Sequence, residues 1–228
     1  MPSARFDHVR HLIFDFDGTI VDSYAAVTEA INHALGHFGR RALSAAEVRP
    51  WVGAGLELIL EHYAGKARVA EGVQLFREKY LTIYKQGATL MPGAAECLEA
   101  LDGRYTMALC SNKLGDAVRG LCDHLGISRS FAVILGANDV PRLKPHPDML
   151  RAALAKLGAS SADSLCIGDT TIDAEFAASC GVPCVLVLGG TGTREELVAA
   201  NPVALLDNIA ELPALLGVTA EEKGQRKK

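Results

Sequence analysis

The sequence predicts an α/β fold: a doubly wound parallel sheet that carries an inserted α-helical domain. From residue 91 onward, short apolar runs of strand length alternate with helical stretches. That alternation is typical of a parallel sheet covered by helices on both faces. Before residue 91 lies a long helical stretch directly after the first strand, although a crossover between parallel strands needs only one helix. With 228 residues, 49% of them hydrophobic, the chain can form one domain that carries a smaller one.

The first strand is predicted at Leu12–Phe14, because this apolar run precedes an Asp-Gly turn signal. Asp15 and Asp17 follow it, and at this spacing in an extended backbone they point to the same side, with Thr19 continuing the row if the chain stays extended. Two carboxylates this close repel each other unless one is protonated or a cation such as Mg²⁺ holds them. An ordinary acidic strand end before a turn explains the same residues, so this stretch alone leaves both interpretations open.

The helical insertion begins after this turn. Apolar residues at three- and four-residue spacing predict a helix over Tyr24–Leu35, with Ser23 as its N-cap and Gly36 or Gly39 as its stop. Further helices are predicted at the capping box of Ser44 and Glu47, closed by Pro50, and at Leu56–Tyr63 and Val69–Tyr84. Residues 21–90 are therefore predicted to form the inserted domain, residues 1–20 and 91–220 the α/β core, and the charged residues 221–228 a disordered tail.

The second half of the chain alternates regularly between helices and strands. Helices are predicted at Ala94–Leu101, Asp116–Leu125, Asp148–Leu157 and Asp173–Ser179, followed by a second capping box of Thr193 and Glu196. Strands are predicted at Tyr105–Cys110, Phe131–Leu135, Ser164–Ile167, Cys184–Leu188 and Ala204–Leu206.

Polar residues follow several of these predicted strands. Besides Asp15 and Asp17, they are Ser111 and Asn112 after the second strand, Lys144 before a helix, Asp169 after the fourth strand, and Asp173 one helical turn later. In a doubly wound sheet, ligands bind beyond the carboxyl ends of the strands. These side chains are therefore predicted to converge on one rim as a functional site, although each residue alone also fits a turn, a helix cap or a surface lysine.

Composition excludes several classes of function. The net charge of −4 and the lack of a basic stripe argue against nucleic acid as the main ligand, so a small ligand fits better. No apolar run reaches membrane-spanning length and the N-terminus lacks a signal-peptide pattern, which predicts a cytoplasmic protein with no membrane partner. The six cysteines form no C-x-x-C pair, so they are predicted to be reduced core thiols.

At these residues the sequence resembles the haloacid dehalogenase superfamily. The segments DFDGT at Asp15–Thr19, SN at Ser111, KPHP at Lys144 and GDTTID at Gly168–Asp173 are similar to its four motifs, and the resemblance covers nearly the whole chain. Ser111 stands where many members have Thr, which keeps the hydroxyl. The insertion after the first motif resembles the helical-cap branch of the superfamily, above all its phosphoglycolate-phosphatase-like members. The resemblance therefore implies a Mg²⁺-dependent phosphatase that hydrolyses a small phosphomonoester through an aspartyl-phosphate intermediate.

The resemblance also implies roles for individual residues. Asp15 would be the nucleophile and Asp17 the general acid and base. Mg²⁺ would be held by the Asp15 side chain, the Asp17 carbonyl and Asp169, with support from Asp173. The implied phosphate-binding residues are Phe16, Gly18, Thr19, Ser111, Asn112 and Lys144. The candidates for reading the substrate, a small phosphorylated metabolite, are Arg49, Trp51, Gly53 and Lys113, although Arg49 also fits a solvated charge and Trp51 a core residue. A monomer and a homodimer remain open.

Other activities compete with the phosphatase. A sugar-phosphate mutase of the same fold would keep both aspartates, but it also needs a His and Lys pattern in the cap that has no counterpart here. A phosphonatase or a dehalogenase would lack an acid at position 17. A phosphoacceptor regulatory domain uses similar strand-end acids but carries no large insertion after its first strand. A pure interaction module has no need of the acidic cluster.

Overall fold

A computed structural model describes residues 6–53 and 55–218. The strands are β1 (His11–Phe14), β2 (Val21–Asp22), β3 (Thr89–Leu90), β4 (Thr106–Cys110), β5 (Val133–Leu135), β6 (Ser164–Gly168), β7 (Cys184–Val187) and β8 (Ala204–Leu206). Six of them form one parallel sheet in the order β5-β4-β1-β6-β7-β8. The predicted doubly wound parallel sheet is therefore confirmed.

The helices surround this sheet and form the segment inserted after β1. They are α1 (Tyr24–His37), α2 (Ala45–Val48), α3 (Leu56–Ala64), α4 (Val69–Ile83), α5 (Ala94–Leu101), α6 (Gly115–His124), α7 (Asp148–Leu157), α8 (Thr171–Ala178), α9 (Arg194–Ala199) and α10 (Leu212–Leu215). Within the described residues, no helix combines the length and the apolar character that a membrane crossing requires.

The central strand β1 is buried on both faces, as its unbroken apolar run predicts. Leu12 and Phe14 pack into one hydrophobic cluster, whereas Ile13 packs into a second cluster on the opposite face. The alternation follows from the two-residue period of a strand. Each face of the sheet therefore has its own core, and β1 contributes to both.

The order of the strands fixes where a ligand can bind. From β1 the chain builds β4 and β5 on one side of the sheet and then crosses to β6, β7 and β8 on the other. The direction of winding changes beside β1, and this leaves a crevice at the carboxyl ends of β1, β4 and β6. The residues predicted to carry the chemistry follow these three strands.

Helices α1 to α4 pack together around an apolar cluster of their own. Ile31 of α1, Ile59 of α3 and Ile83 of α4 are nearly inaccessible to solvent within it, and Ala117 of α6 joins the same cluster from the sheet side. The helical segment therefore has its own core and rests against α6, over the crevice.

A short antiparallel pair, β2 with β3, joins the two ends of the helical segment. Val21 pairs with Leu90 and Asp22 with Thr89, and Met91 continues the ladder through a hydrogen bond from its N–H to the Ile20 carbonyl. The sequence did not predict this pair, because strands of two residues are too short to show a hydrophobic period. The division into a core (residues 1–20 and 91–220) and an inserted domain (residues 21–90) stays a prediction, and the tail predicted at residues 221–228 lies outside the described residues.

Local capping signals are borne out at two of three helices. Both predicted capping boxes form, at Ser44 with Glu47 and at Thr193 with Glu196. Ser23 is the N-cap residue of α1 by position, but its hydroxyl does not cap the helix. The Ser23 hydroxyl instead donates to Asp17 at 2.6 Å, because a carboxylate is the stronger acceptor.

Candidate active site

One cavity of about 140 Å³ lies between the carboxyl ends of β1, β4 and β6 and the helical segment. Its walls include every strand-end residue that the sequence singled out: Asp15, Asp17, Ser111, Asn112, Lys144, Asp169 and Asp173. The structure therefore brings these side chains together at one edge of the sheet, as the sequence predicted.

Lys144 bridges two carboxylates at the base of the cavity. Its ammonium donates to Asp15 at 2.5 Å and to Asp173 at 2.8 Å, and all three side chains are largely buried. Burial raises the pKa of Asp15 well above its ordinary value, against the neighbouring Lys144 charge, which lowers it. For Lys144 burial lowers the pKa, but the two carboxylates prevail and leave it raised, so the ammonium stays charged.

Asn112 holds the backbone that carries this lysine. The Asn112 side-chain amide donates to the Lys144 carbonyl at 3.0 Å, and its oxygen accepts the Lys144 N–H at 2.8 Å. The same amide also donates to the Gly53 carbonyl at 3.1 Å, across the cavity in the helical segment. The side chain is thus committed to positioning, and the predicted role of Asn112 in phosphate binding stays a prediction. The Ser111 side chain is less committed than that of Asn112, because its hydroxyl accepts a hydrogen bond from the Lys113 N–H but donates none to a described residue.

Asp169 is fully buried and held by two threonines. It accepts from the Thr19 hydroxyl at 3.0 Å and from the Thr191 N–H at 2.7 Å. Burial raises the pKa of Asp169 to about 7, with the charge of Asp173 acting in the same direction. Sequence reasoning missed Thr191, whose only signal is the glycine- and threonine-rich stretch after β7. A Cβ at Gly190 in that loop would lie 2.0 Å from the Asp169 carboxylate, so only glycine fits.

The two carboxylate oxygens of Asp173 have different partners, one at the start of α8 and one in the cavity. Oδ2 accepts from the Thr170 hydroxyl at 2.8 Å and from the Thr170 N–H at 3.1 Å, where α8 begins. Oδ1 accepts from Lys144. Helix capping therefore fixes the carboxylate in the orientation that meets the lysine.

The acids at the base of the cavity fit a hard divalent cation. Asp15, Asp169 and Asp173 each offer one oxygen atom, and these atoms lie within 4.8 Å of one another. The Tyr24 hydroxyl flanks the same small space beside Gly18 as the Asp169 carboxylate, and it is buried without a hydrogen-bond partner among the described residues. Clustered carboxylate oxygens, together with an orphaned donor that a metal-bound water would satisfy, match the coordination chemistry of Mg²⁺.

Asp17 belongs to a separate network on the other side of Asp15. The Lys113 ammonium lies 3.1 Å from the Asp17 carboxylate, 3.1 Å from the Ser23 hydroxyl and 2.9 Å from the Tyr80 hydroxyl of α4. Burial lowers the pKa of Lys113, but Asp17 and Tyr80 outweigh it and leave the pKa raised. Lys113 lines the cavity and its charge is paired with Asp17, and its predicted role in reading the substrate stays a prediction.

The loop after β1 is turned rather than extended. The Gly18 N–H donates to the Val21 carbonyl, and the backbone at Gly18 has a φ of +85°. Thr19 therefore does not continue the row of Asp15 and Asp17, and the turn brings its hydroxyl to Asp169 instead. The Phe16 side chain is buried in the core, and the predicted role of Phe16 in phosphate binding stays a prediction.

The helical segment supplies the outer wall of the cavity. Trp51 and Gly53 line it, as expected of residues that read the substrate. Apolar side chains that were not proposed form much of this wall: Val27, Ile31, Val48, Val52, Leu56, Ile59 and Phe76. Arg49 lies outside the cavity, where it stacks over the Tyr24 ring and donates to the Gly189 and Gly190 carbonyls of the loop after β7.

Comparison with known proteins gives a consistent result. The family model for haloacid dehalogenase-like hydrolases matches residues 12–187. A phosphoglycolate phosphatase from Yersinia pestis is 34% identical over 223 residues, which cover 94% of this chain and 96% of that protein. A phosphoglycolate phosphatase from Photorhabdus laumondii is 30% identical, over 96% of this chain and 97% of that protein.

Solved structures agree with the fold. A haloacid dehalogenase-like family hydrolase from Streptococcus pneumoniae superimposes with a TM-score of 0.85 at 25% identity, covering 91% of this chain and 98% of that one. A predicted phosphoglycolate phosphatase from Haemophilus somnus superimposes with a TM-score of 0.80 at 26% identity, covering 90% and 96% of the two chains.

Proposed function

The chain belongs to the haloacid dehalogenase-like hydrolase family, and from this premise we propose that it is a Mg²⁺-dependent phosphatase acting through an aspartyl-phosphate on Asp15. Its substrate is a small phosphomonoester, and the phosphoglycolate phosphatases among its relatives make 2-phosphoglycolate the first compound to test. The observation that carries the proposal is the pairing of the two strand-end acids with different lysines, Asp15 with Lys144 and Asp17 with Lys113. Two acids in separate environments can take separate roles.

Asp15 carries out the first step. One of its carboxylate oxygens attacks phosphorus, and the bond from phosphorus to the leaving oxygen breaks as Asp17, which enters this step in its protonated form, gives that oxygen a proton. Lys144 holds Asp15 in place and, with the Ser111 hydroxyl, provides donors for the phosphoryl oxygens.

Asp17 carries out the second step. It takes a proton from a water molecule, which attacks phosphorus and breaks the bond to Asp15, so that inorganic phosphate leaves and both aspartates return to their starting state. Lys113 and Ser23 hold the Asp17 carboxylate where it can serve both steps.

The charges of the cavity support the role of Mg²⁺. Among the described residues, the cavity walls carry five carboxylates against three cationic side chains. A phosphate dianion would be repelled by this excess of negative charge. Held by Asp15, Asp169 and the Asp17 carbonyl with support from Asp173, Mg²⁺ would neutralise it and stabilise the charge on the phosphoryl oxygens.

The size and position of the cavity support a small substrate and a lid. Its volume of about 140 Å³ is close to that of an engineered cavity of roughly 150 Å³ that holds one benzene molecule.

We propose that residues 21–90 act as a cap that closes over the bound ester and excludes water other than the attacking molecule. The Gly53 to Asn112 contact and the Arg49 contacts join this segment to the core.

Removal of Mg²⁺ tests the proposed function. Treatment of the purified protein with EDTA is expected to lower phosphate release from 2-phosphoglycolate by about 10³-fold, because a catalytic cation contributes several kcal/mol of charge stabilisation. Added Mg²⁺ should restore the rate. The measurement is phosphate release over a panel of small phosphomonoesters, and equal rates with and without Mg²⁺, or no hydrolysis of any ester, would contradict the proposal.

The contacts of Arg49 predict a role in closure. Arg49→Met keeps an unbranched side chain but removes the guanidinium, which stacks over the Tyr24 ring and donates to the Gly189 and Gly190 carbonyls. We expect KM to rise about 2- to 10-fold, the range for the net contribution of one hydrogen bond, because both carbonyls accept from the same exposed Nη2 group, with little change in the ranking of substrates. Arg40→Met is the control, because Arg40 is exposed and lines no part of the cavity. A changed substrate ranking would instead return Arg49 to the specificity role expected from the sequence.

A further inference from the structure

We propose that Arg77 of α4 binds a carboxylate on the alcohol part of the substrate, so that this phosphatase prefers phosphorylated hydroxy acids to neutral phosphate esters. The inference rests on the proposed phosphatase function and names the residue that sets its specificity. Its starting point is the set of cationic side chains that line the cavity.

Arg77 differs from the other two cations of the cavity. Lys144 is bound by Asp15 and Asp173, and Lys113 by Asp17. Arg77 lines the same cavity, yet no described residue accepts a hydrogen bond from it or forms an ion pair with it. Among the cavity-lining residues that the structure describes, its guanidinium is thus the one cation that no carboxylate already holds, and its planar fork matches a carboxylate.

The position of Arg77 corresponds to the leaving group rather than to the phosphate. Tyr80 lies three residues further along α4, so the two side chains share a face of the helix. The Tyr80 ring stacks on Phe76, and the Tyr80 hydroxyl contacts Lys113, which in turn contacts Asp17. Because Asp17 protonates the leaving oxygen, the alcohol leaves on this side of the cavity, where Arg77 is the other polar residue of α4 that lines the described cavity.

The surroundings of Arg77 favour a substrate whose alcohol part is a hydroxy acid over one whose alcohol part is a sugar. The wall that the helical segment gives to the same cavity is largely apolar, as Ile31, Ile59 and Phe76 illustrate. Sugar hydroxyls placed against this wall would lose water without gaining partners, at a cost in free energy. A short carbon chain that ends in a carboxylate would instead place its methylene groups on the apolar wall and its charge on Arg77.

Glu57 of α3 provides a counter-test. It lines the cavity from the same cap, and it carries the charge that would repel a substrate carboxylate. Neutralising Glu57 should therefore shift selectivity in the direction opposite to that of neutralising Arg77.

The experiment compares two esters that differ in one group. Values of kcat/KM are measured with Mg²⁺ for 2-phosphoglycolate and for ethyl phosphate, in which a methyl group replaces the carboxylate. In Arg77→Gln, the ratio of the first value to the second is expected to fall about 10- to 100-fold, the range for a charge-assisted hydrogen bond. Arg77→Lys should lose less, because it keeps the charge, and Glu57→Gln should raise the ratio. Arg40→Gln, an exposed arginine outside the cavity, is the matched control.

The outcomes separate this inference from the function on which it rests. An unchanged ratio in Arg77→Gln, or an equal fall in the Arg40 control, would overturn the role of Arg77 while the phosphatase stands. A wild-type protein that hydrolyses neither ester nor any other phosphomonoester would overturn both. If Arg77→Gln proves unstable in a thermal melt, the opposite shifts expected for Arg77→Lys and Glu57→Gln still decide the question.

Discussion

Replacing Asp15 with asparagine is expected to lower kcat by at least about 10⁴-fold, because an amide cannot serve as the carboxylate nucleophile of the proposed mechanism. No phosphorylated protein should be detected by intact mass after rapid quenching. The fold should survive, because Asn has nearly the same shape and Lys144 keeps Asp173 as a partner.

A matched control separates this loss from a general effect of removing a carboxylate. Asp102 is exposed and immediately follows α5, near the start of β4 and away from the carboxyl ends that build the site. Asp102→Asn should turn over like wild type. Substantial turnover by Asp15→Asn, or a phosphoryl adduct on another residue, would show that the nucleophile is assigned wrongly even if the protein is a phosphatase.

The second large effect on turnover is expected when Asp17 is replaced, but here the second step of the reaction should fail rather than the first. Asp17→Asn keeps the nucleophile but loses the group that activates water, a role typically worth about 10²- to 10⁴-fold. With an aryl phosphate, whose leaving group needs little protonation, the first step should proceed and the second should fail. A phosphoryl adduct on Asp15 should therefore accumulate, and rapid quenching followed by intact mass and peptide mapping would detect it.

The structure gives this prediction a control close to the site. Tyr80→Phe removes the phenol that contacts Lys113 but leaves the ion pair of Lys113 with Asp17 in place. It should not accumulate the adduct, because the base itself remains. Wild-type turnover by Asp17→Asn would exclude Asp17 as the base.

The sequence predicted the sheet and the acids at its edge because these features are local. An apolar run of strand length followed by Asp15 or Asp169 is visible within a few residues, and the parallel sheet then brings the two strand ends together. The four motifs added the expected chemistry. The hydrophobic period likewise located α1, α3 and α4 to within a residue or two.

Contacts between distant segments were beyond what the sequence could predict. Lys113, in the loop after β4, pairs with Asp17 in the loop after β1 and contacts Tyr80 of α4, and no spacing in the chain encodes these distances. The bond from Thr191 to Asp169 also depends on where the loop after β7 turns. Ser23 does precede α1, as the sequence predicted, but its hydroxyl donates to the nearby Asp17 carboxylate, a stronger acceptor than the helix backbone can offer.

The β2–β3 pair bears on how such a protein can diversify. Because the two ends of the helical segment are hydrogen-bonded side by side, they leave the sheet as neighbouring strands about 5 Å apart. An insert of any length whose ends meet at this spacing closes without displacing the sheet, since the entropy of loop closure grows only slowly with length. Under the proposed function, a change of the helical segment between β2 and β3 would therefore alter substrate choice while the acids at the ends of the sheet strands stay in place.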